Sequence, residues 1–150
     1  MSSDDFYEFN LYNHILNDVV TPYIGNSEIT DSKQLDECCH HFLDDTDYKF
    51  LGVFSSDRIP KLINMNEFCI VNLDPSYKPG SHWVSFSSDL FYDSFGRPLN
   101  TLLDRNNNLM KIKDTDLDPE QEIKENNCGQ RSIAWILCYA FFGKEIAKKI

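Results

Sequence analysis

The chain has 150 residues, of which 41% are hydrophobic and 25% charged, a composition that allows one packed domain over residues 1–150. Its 13% aromatic content argues against a disordered chain. The formal net charge of −10 repels phosphate backbones, which argues against a dedicated nucleic-acid-binding protein.

Two helices are predicted in the N-terminal third of the chain. Apolar residues recur at helical spacing over residues 4–20, and the dipeptide Thr21-Pro22 predicts the end of this helix. A second helix is predicted over residues 32–43 because one of its faces is apolar. That face consists of Leu35, Cys38, Cys39, Phe42 and Leu43.

The middle of the chain has the short apolar runs that are typical of β-strands. Strands are predicted over residues 49–54, 68–73, 82–87 and 90–94. Ser88-Asp89 separates the last two strands and suits a tight hairpin. A short helix is then predicted over residues 99–104 and a further strand over residues 109–113.

The C-terminal part predicts an apolar helix over residues 129–142 that is buried on most sides. Its continuous apolar run, residues 133–142, is about half as long as a bilayer span, so we expect no membrane insertion. The order of helices, strands and one buried helix predicts an α+β fold. We expect a small, mostly antiparallel sheet packed against a buried helix that carries Cys128 at its N-terminus.

Cysteine usage and the first residues predict an intracellular protein. The five cysteines lack the spacing of a disulfide framework, which favours reduced thiols. Residues 1–5 are polar and acidic, whereas a secretory signal has a basic start and an apolar run. The run Cys38-Cys39-His40-His41 has the composition of a metal site, but four consecutive helical residues cannot converge on one ion. We therefore expect buried cysteines and exposed histidines there, and no metal or other cofactor.

Cys128 has the surroundings that a nucleophilic cysteine needs. It directly precedes the apolar helix, where the positive end of the helix dipole and free backbone N–H groups stabilise a thiolate. Gly129 follows and would leave room for a substrate carbonyl to approach. Considered alone, Cys128 could equally be a buried structural thiol, which is the role expected of Cys138 within the helix.

Three further residues could complete a catalytic set. His82 at the start of a strand could act as general base, and Asp93 on the next strand could orient its imidazole. Gln121, seven residues before Cys128 (128 − 121), could donate its side-chain amide to a developing oxyanion. Taken singly, these residues more often occur as a solvated turn histidine, a turn aspartate and a surface glutamine. The hypothesis therefore depends on their combination.

Four segments in chain order resemble a known family. They are FLGVF at 50–54 with RIP at 58–60, IVN at 70–72 with GSHWVSF at 80–86, LFYDSFG at 90–96, and the segment from Gln121 to Cys128-Gly129. This pattern resembles the adenovirus-type maturation cysteine proteases, or adenains, which belong to the same clan as the ubiquitin-like-protein (SUMO) proteases. The resemblance covers roughly residues 50 to 135.

The resemblance implies a papain-like fold and a thiol protease with the roles given above to His82, Asp93, Gln121 and Cys128. It implies cleavage after small residues such as glycine, with Trp83 forming part of a narrow substrate channel. The implied substrates are viral capsid or core precursors, processed in the host cytoplasm or nucleus or inside the virion. An activating peptide could also add a strand to an open sheet edge.

Other functions stay open at this point. An aspartate at position 93 is similar to the SUMO-protease branch, so an isopeptidase acting on ubiquitin-like conjugates is the alternative hydrolase. The same triad can also transfer acyl groups from a thioester cofactor, although the sequence has no basic cofactor pocket. A non-catalytic interaction module is disfavoured because all four catalytic residue types are present.

Overall fold

A five-stranded mixed sheet forms the centre of this α+β structure, which is a computed structural model. The structure describes residues 3–25, 30–62, 64–104, 109–122 and 125–150, with the backbone alone for residues 3–6. The strands are β1 (Lys49–Ser55), β2 (Glu67–Asn72), β3 (Trp83–Ser87), β4 (Leu90–Tyr92) and β5 (Lys113–Asp114). They lie side by side in that order.

The strand directions differ from the predicted mostly antiparallel sheet. β2 pairs antiparallel with β3, and β3 antiparallel with β4, but β1 is parallel to β2 and β4 is parallel to β5. A parallel pair needs a connection that returns to the start of the preceding strand, whereas an antiparallel pair needs only a turn. The segments after β1 and after β4 make this return, so the prediction of a mostly antiparallel sheet is wrong.

Within the described ranges, five helical segments complete the fold. Helix α1 is α-helical over Ser3–His14, π-helical over Ile15–Val20 and α-helical again over Thr21–Ile24; the others are α2 (Ser32–Leu43), α3 (Leu99–Leu102), α4 (Cys128–Phe142) and α5 (Lys144–Lys148). The prediction for α2 is confirmed at both ends, and α4 begins one residue earlier than predicted. Among the described residues, no helix combines the length and apolarity of a transmembrane span.

Helix α1 continues through Thr21-Pro22, which contradicts the predicted end. The N–H of Thr21 bonds to the carbonyl of Leu16, five residues back, and Thr21 Oγ1 donates to the same oxygen at 2.7 Å. A proline cannot donate an N–H, and its ring meets the carbonyl four residues earlier in an α-helix. The wider π turn before Pro22 accommodates both features, and the helix ends instead at Gly25, where φ is +96°.

The predicted strand over residues 109–113 is mostly a turn. Residues 109–111 form the turn, and only Lys113–Asp114 pairs with β4. The apolar residues Leu109 and Ile112 are nevertheless buried, at 1% and 2% exposure. Their pattern reflects packing beneath the sheet, and a short apolar run does not distinguish a buried turn from a strand.

Side chains of the sheet alternate between two hydrophobic cores. Phe68 and Ile70 of β2 belong to a core shared with α1, α2 and α4. Cys69 and Val71 belong to a second core on the opposite face, with Leu99 of α3. Successive side chains of a strand point to opposite faces, so both faces of the sheet are covered and α4 lies buried against one of them.

The cysteines of α2 are packed in the core. Cys38 and Cys39 both have 0% exposure, which confirms the predicted packing. His41 is exposed as predicted, but His40 is only half-exposed. The rings of His40 and Phe50 pack against each other nearly at right angles.

A capping interaction that the sequence analysis overlooked fixes the start of α2. The Asp31 side chain accepts from the Gln34 N–H at 2.8 Å, and the Gln34 side chain accepts from the Asp31 N–H at 2.9 Å. This reciprocal pair satisfies two backbone donors that the helix leaves free.

We expect Asp31→Ala to lower the free energy of unfolding by about 1 kcal/mol, because it removes the acceptor for the Gln34 N–H. Asp31→Asn retains an oxygen at the same position and should stay within a few tenths of a kcal/mol of the wild type. Urea unfolding of the three proteins measures both values. Equal losses in the two variants would contradict the capping role.

Candidate active site

The β3–β4 hairpin brings His82 and Asp93 together. His82 directly precedes β3 and Asp93 directly follows β4, and the strands pair with Ser85 opposite Tyr92. His82 Nε2 and Asp93 Oδ1 are 2.6 Å apart, and both residues are buried. This pairing leaves Nδ1 as the histidine nitrogen that can face another group.

The turn after β4 holds both side chains in place. Asp93 Oδ2 accepts hydrogen bonds from the Arg97 Nε at 2.8 Å and from the Arg97 N–H at 3.1 Å. The Phe95 ring stacks on His82 with 4.9 Å between ring centroids, and the Arg97 guanidinium lies 5.1 Å from the Phe95 centroid. The sequence analysis missed Phe95 and Arg97, although both lie within four residues of Asp93 in a turn-forming segment.

Cys128 is the first residue of α4, and its thiol faces His82. Hydrogen bonds connect the sulfur to the His82 side chain and to the backbone N–H groups of Trp83 and Gly129. Burial opposes ionisation of this thiol, but the His82 and Trp83 hydrogen bonds outweigh it and hold the pKa of Cys128 below its ordinary value. A helix N-terminus adds a favourable dipole for the thiolate.

The other two groups shift in the directions that match an ionised thiol. Burial alone would lower the pKa of His82, but hydrogen bonds to Asp93 and Cys128 raise it above its ordinary value. Burial would raise the pKa of Asp93, but hydrogen bonds from His82 and Arg97 hold it below its usual range. The three groups thus favour thiolate, imidazolium and carboxylate together, an arrangement in which the sulfur is nucleophilic.

Gln121 is fixed beside these groups by two hydrogen bonds. Ser94 Oγ donates to Gln121 Oε1 at 2.5 Å, and Gln121 Nε2 donates to the Glu125 carbonyl at 2.6 Å. The amide carries two N–H bonds and uses one of them here, so the second can be donated to a ligand. Ser94, which the sequence analysis missed, directly follows Asp93 and so connects the Gln121 amide to the hairpin.

Arg131 supports the segment that leads to Cys128 and was also missed. Its Nη2 pairs with Glu125 Oε2 at 3.1 Å, its Nε donates to Asn127 Oδ1 at 3.0 Å, and its Nη1 donates to Tyr12 OH at 3.3 Å. Since the Glu125 carbonyl holds Gln121, Arg131 indirectly fixes the amide. The sequence around Arg131 does not indicate these contacts, because they are made by a long side chain with residues of other segments.

Trp83 and Gly129, the predicted substrate-binding residues, have different surroundings. Trp83 is half-buried at the cleft, and its Nε1 donates to the Thr30 carbonyl at 3.2 Å. Gly129 is buried, and a Cβ there would lie 2.1 Å from Thr30 Oγ1 and 2.9 Å from Leu35 Cδ2. The prediction that its missing side chain makes room for substrate is therefore corrected, because Thr30 and Leu35 occupy that space.

His82, Gln121 and Cys128 line one cleft of about 770 Å³. Asp93 lies behind His82, out of the cleft. The polar and charged residues that share the cleft with these groups are Thr30, Asp31, Ser32, Asn72, Ser81, Arg97, Glu125 and Asn126. A thiolate, an imidazolium and an amide donor in one cleft can attack a carbonyl carbon, protonate its leaving group and stabilise its oxygen.

The comparisons with known proteins identify no relative. No protein-family model matches the chain, and no curated protein or solved structure was found to be similar to it.

Gly129→Ala should destabilise the protein by about 1–3 kcal/mol, because the added methyl group would overlap Thr30 Oγ1. Thr30→Ala removes the closest overlapping atom but leaves the contact with Leu35, so it should restore part of the loss when combined with Gly129→Ala. Thr30→Ser keeps the oxygen and should restore little. Urea unfolding of the single and double variants gives the free energies for this double-mutant cycle. If Gly129→Ala is as stable as the wild type, the described packing is wrong.

Alkylation rates should identify Cys128 as the reactive thiol. Because its pKa lies below its ordinary value, its iodoacetamide labelling should slow less than that of an ordinary thiol as the pH falls from 9 to 7. In His82→Ala the rate should fall by up to about tenfold per pH unit over that range, as for an ordinary thiol. The matched internal controls are Cys38 and Cys138, since burial raises the pKa of each to about 12.

Mass spectrometry of tryptic peptides measures the rate at each cysteine. Identical pH profiles for Cys128 in the wild type and His82→Ala would refute the coupling between sulfur and imidazole. Equal labelling of Cys128 and Cys138 in the wild type would refute the assignment of a reactive thiol.

Proposed function

We propose that this protein is a cysteine endopeptidase of the papain-like, adenain-like class, with Cys128, His82 and Asp93 as the catalytic triad. The observation that carries the proposal is the chain of hydrogen bonds from Asp93 through His82 to the Cys128 sulfur at the start of a helix. The resemblance of residues 50–135 to the adenains also supports it. The order His, Asp, Gln, Cys along the chain is the order in that family.

In the proposed reaction, the Cys128 thiolate attacks the carbonyl carbon of the scissile peptide bond, and a new carbon–sulfur bond forms. The Gln121 amide donates to the oxyanion that develops on the carbonyl oxygen. The His82 imidazolium gives its proton to the leaving amine as the carbon–nitrogen bond breaks, which leaves a thioester. Neutral His82 then removes a proton from water, whose oxygen attacks the thioester and releases the thiolate.

Asp93 and its supports keep the imidazole oriented through both steps. Its carboxylate bonds to Nε2 of His82 at 2.6 Å and therefore keeps Nδ1 directed toward the sulfur. Arg97 occupies the second carboxylate oxygen at 2.8 Å, so the carboxylate cannot rotate freely. This is the orienting and charge-stabilising role that a triad carboxylate has.

The substrate is proposed from the cleft and from the resemblance. Trp83 borders the cleft beside Cys128 and is fixed by its bond to the Thr30 carbonyl, which favours small residues before the scissile bond. Viral capsid or core precursors with glycine-type sites are the substrates that the resemblance implies. An isopeptidase acting on ubiquitin-like conjugates, whose modifiers end in glycine, is the alternative.

We expect Cys128→Ala to abolish peptide cleavage and Gln121→Ala to lower kcat about 10²–10³-fold, the usual effect of one lost oxyanion donor. The assay is cleavage of fluorogenic peptides with glycine before the scissile bond, under reducing conditions. Gln121→Ala should leave the alkylation rate of Cys128 unchanged, because in the proposed mechanism the amide contacts neither the Cys128 sulfur nor the His82 imidazole. Cleavage by Cys128→Ala would overturn the assignment.

Two substrates separate the proposal from its alternative. A ubiquitin-like modifier with a C-terminal electrophile should label Cys128 if the protein is an isopeptidase. Cleavage of unmodified precursor proteins at small residues, without labelling by any modifier, is the result expected for the endopeptidase.

A further inference from the structure

We propose that Arg97 forms a subsite for a carboxylate on the substrate residues that follow the scissile bond. This inference rests on the proposed peptidase function and adds a substrate class to it: proteins with Asp or Glu shortly after the cleavage site. It assigns Arg97 a role in specificity besides its contact with Asp93.

The Arg97 guanidinium is held in one orientation, but only its Nε donates a hydrogen bond to a described residue. Its Nε bonds to Asp93, and its carbon lies 5.1 Å from the Phe95 ring centroid. The structure gives the two Nη nitrogens no hydrogen-bond or ion-pair partner among the described residues. The side chain is 42% exposed and lines the cleft that contains Cys128. A guanidinium with free terminal N–H groups is suited to bind a carboxylate.

The position of Arg97 relative to His82 assigns the direction of the substrate. In the proposed reaction, His82 protonates the leaving amine, so the residues after the scissile bond pass on the His82 side of the sulfur. Phe95 stacks on His82, and Arg97 contacts Phe95. A side chain one or two residues after the scissile bond is therefore the part of the substrate nearest to Arg97.

The two acidic residues that the structure describes in the lining of the cleft make their hydrogen bonds and ion pairs with groups other than Arg97. Asp31 caps α2 through the Gln34 N–H, and Glu125 pairs with Arg131. Among the described residues that line the cleft, Arg97 is the only cation besides the imidazolium of His82. Although the protein has a net charge of −10, the Asp93 carboxylate is shared between Arg97 and His82, so the two Nη nitrogens of Arg97 remain available to an acidic side chain.

The test measures binding of peptide pairs to the full chain carrying Cys128→Ala, so that no peptide is consumed. Each pair has Gly-Gly before the intended scissile bond and differs only by Asp or Asn at the first or second position after it. Fluorescence anisotropy should give about tenfold or tighter binding of one Asp peptide over its Asn partner. The preference should weaken as ionic strength rises and should vanish when Arg97→Gln is added.

Asp93→Asn is the matched control for the orienting role of Arg97. It weakens the same Arg97–Asp93 contact but retains the guanidinium, so the Asp-over-Asn preference should persist in that variant. A preference lost equally in Asp93→Asn and Arg97→Gln would overturn the proposal, since it would trace to the hairpin geometry alone. Absence of any Asp preference, or absence of peptide binding, would overturn it too.

Cleavage of the same peptides by the wild type separates this inference from the proposed function. If the wild type cleaves both members of each pair equally and Arg97→Gln does not change their kcat/KM ratio, the peptidase stands and the carboxylate subsite is wrong. If Asp peptides bind in an Arg97-dependent way but no peptide is cleaved, Arg97 does bind a carboxylate in the cleft, but the proposed function and the position after a scissile bond are wrong.

Discussion

The structure depends on a row of hydrogen bonds between charged groups that runs from the partly exposed Arg97 through the buried Asp93 and His82 to Cys128. A charge in an apolar interior is costly unless a partner and hydrogen bonds compensate it. Three separate elements must therefore meet: the end of β4 with its turn, the residue before β3, and the first residue of α4. A tight hairpin provides the first two, and the close packing of α4 on β3 provides the third.

The close packing of α4 on β3 explains why small residues occur on both elements. Ser85 alternates with Val84 and Phe86, which belong to the core on the other face, so its side chain points toward the helix face. Ser132 of α4 donates to the Trp83 carbonyl at 3.3 Å, and Gly129 leaves the space that Thr30 fills. Larger groups at these points would move the Cys128 sulfur away from the imidazole.

Local periodicity predicted α2, α4 and the hairpin closely because their burial patterns follow one regular spacing. The parallel pairings of β1 with β2 and of β5 with β4 could not be predicted, since they depend on the path of long connections. For the site, residue types and order suggested His82, Asp93, Gln121 and Cys128, and the structure brings them together. Arg97 and Arg131 were missed because their partners are set by tertiary contacts, and Gly129 was misinterpreted because its neighbour Thr30 lies 99 residues earlier (129 − 30).

Glu120, the neighbour of Gln121, completes the electrostatic argument. Burial raises the pKa of Glu120 to about 9, so the folded protein keeps this carboxyl neutral at neutral pH. In the unfolded chain the same carboxyl ionises once the pH exceeds its ordinary pKa of 4.5. Glu120 therefore makes the fold progressively less stable as the pH rises from 4.5 toward 9. Asp93 acts in the opposite sense: its lowered pKa stabilises the fold above its ordinary value of 3.8 and loses that contribution in acid. The two carboxyl groups differ because Asp93 has His82 and Arg97 as donors, whereas the buried Oε2 of Glu120 has no hydrogen-bond partner among the described residues.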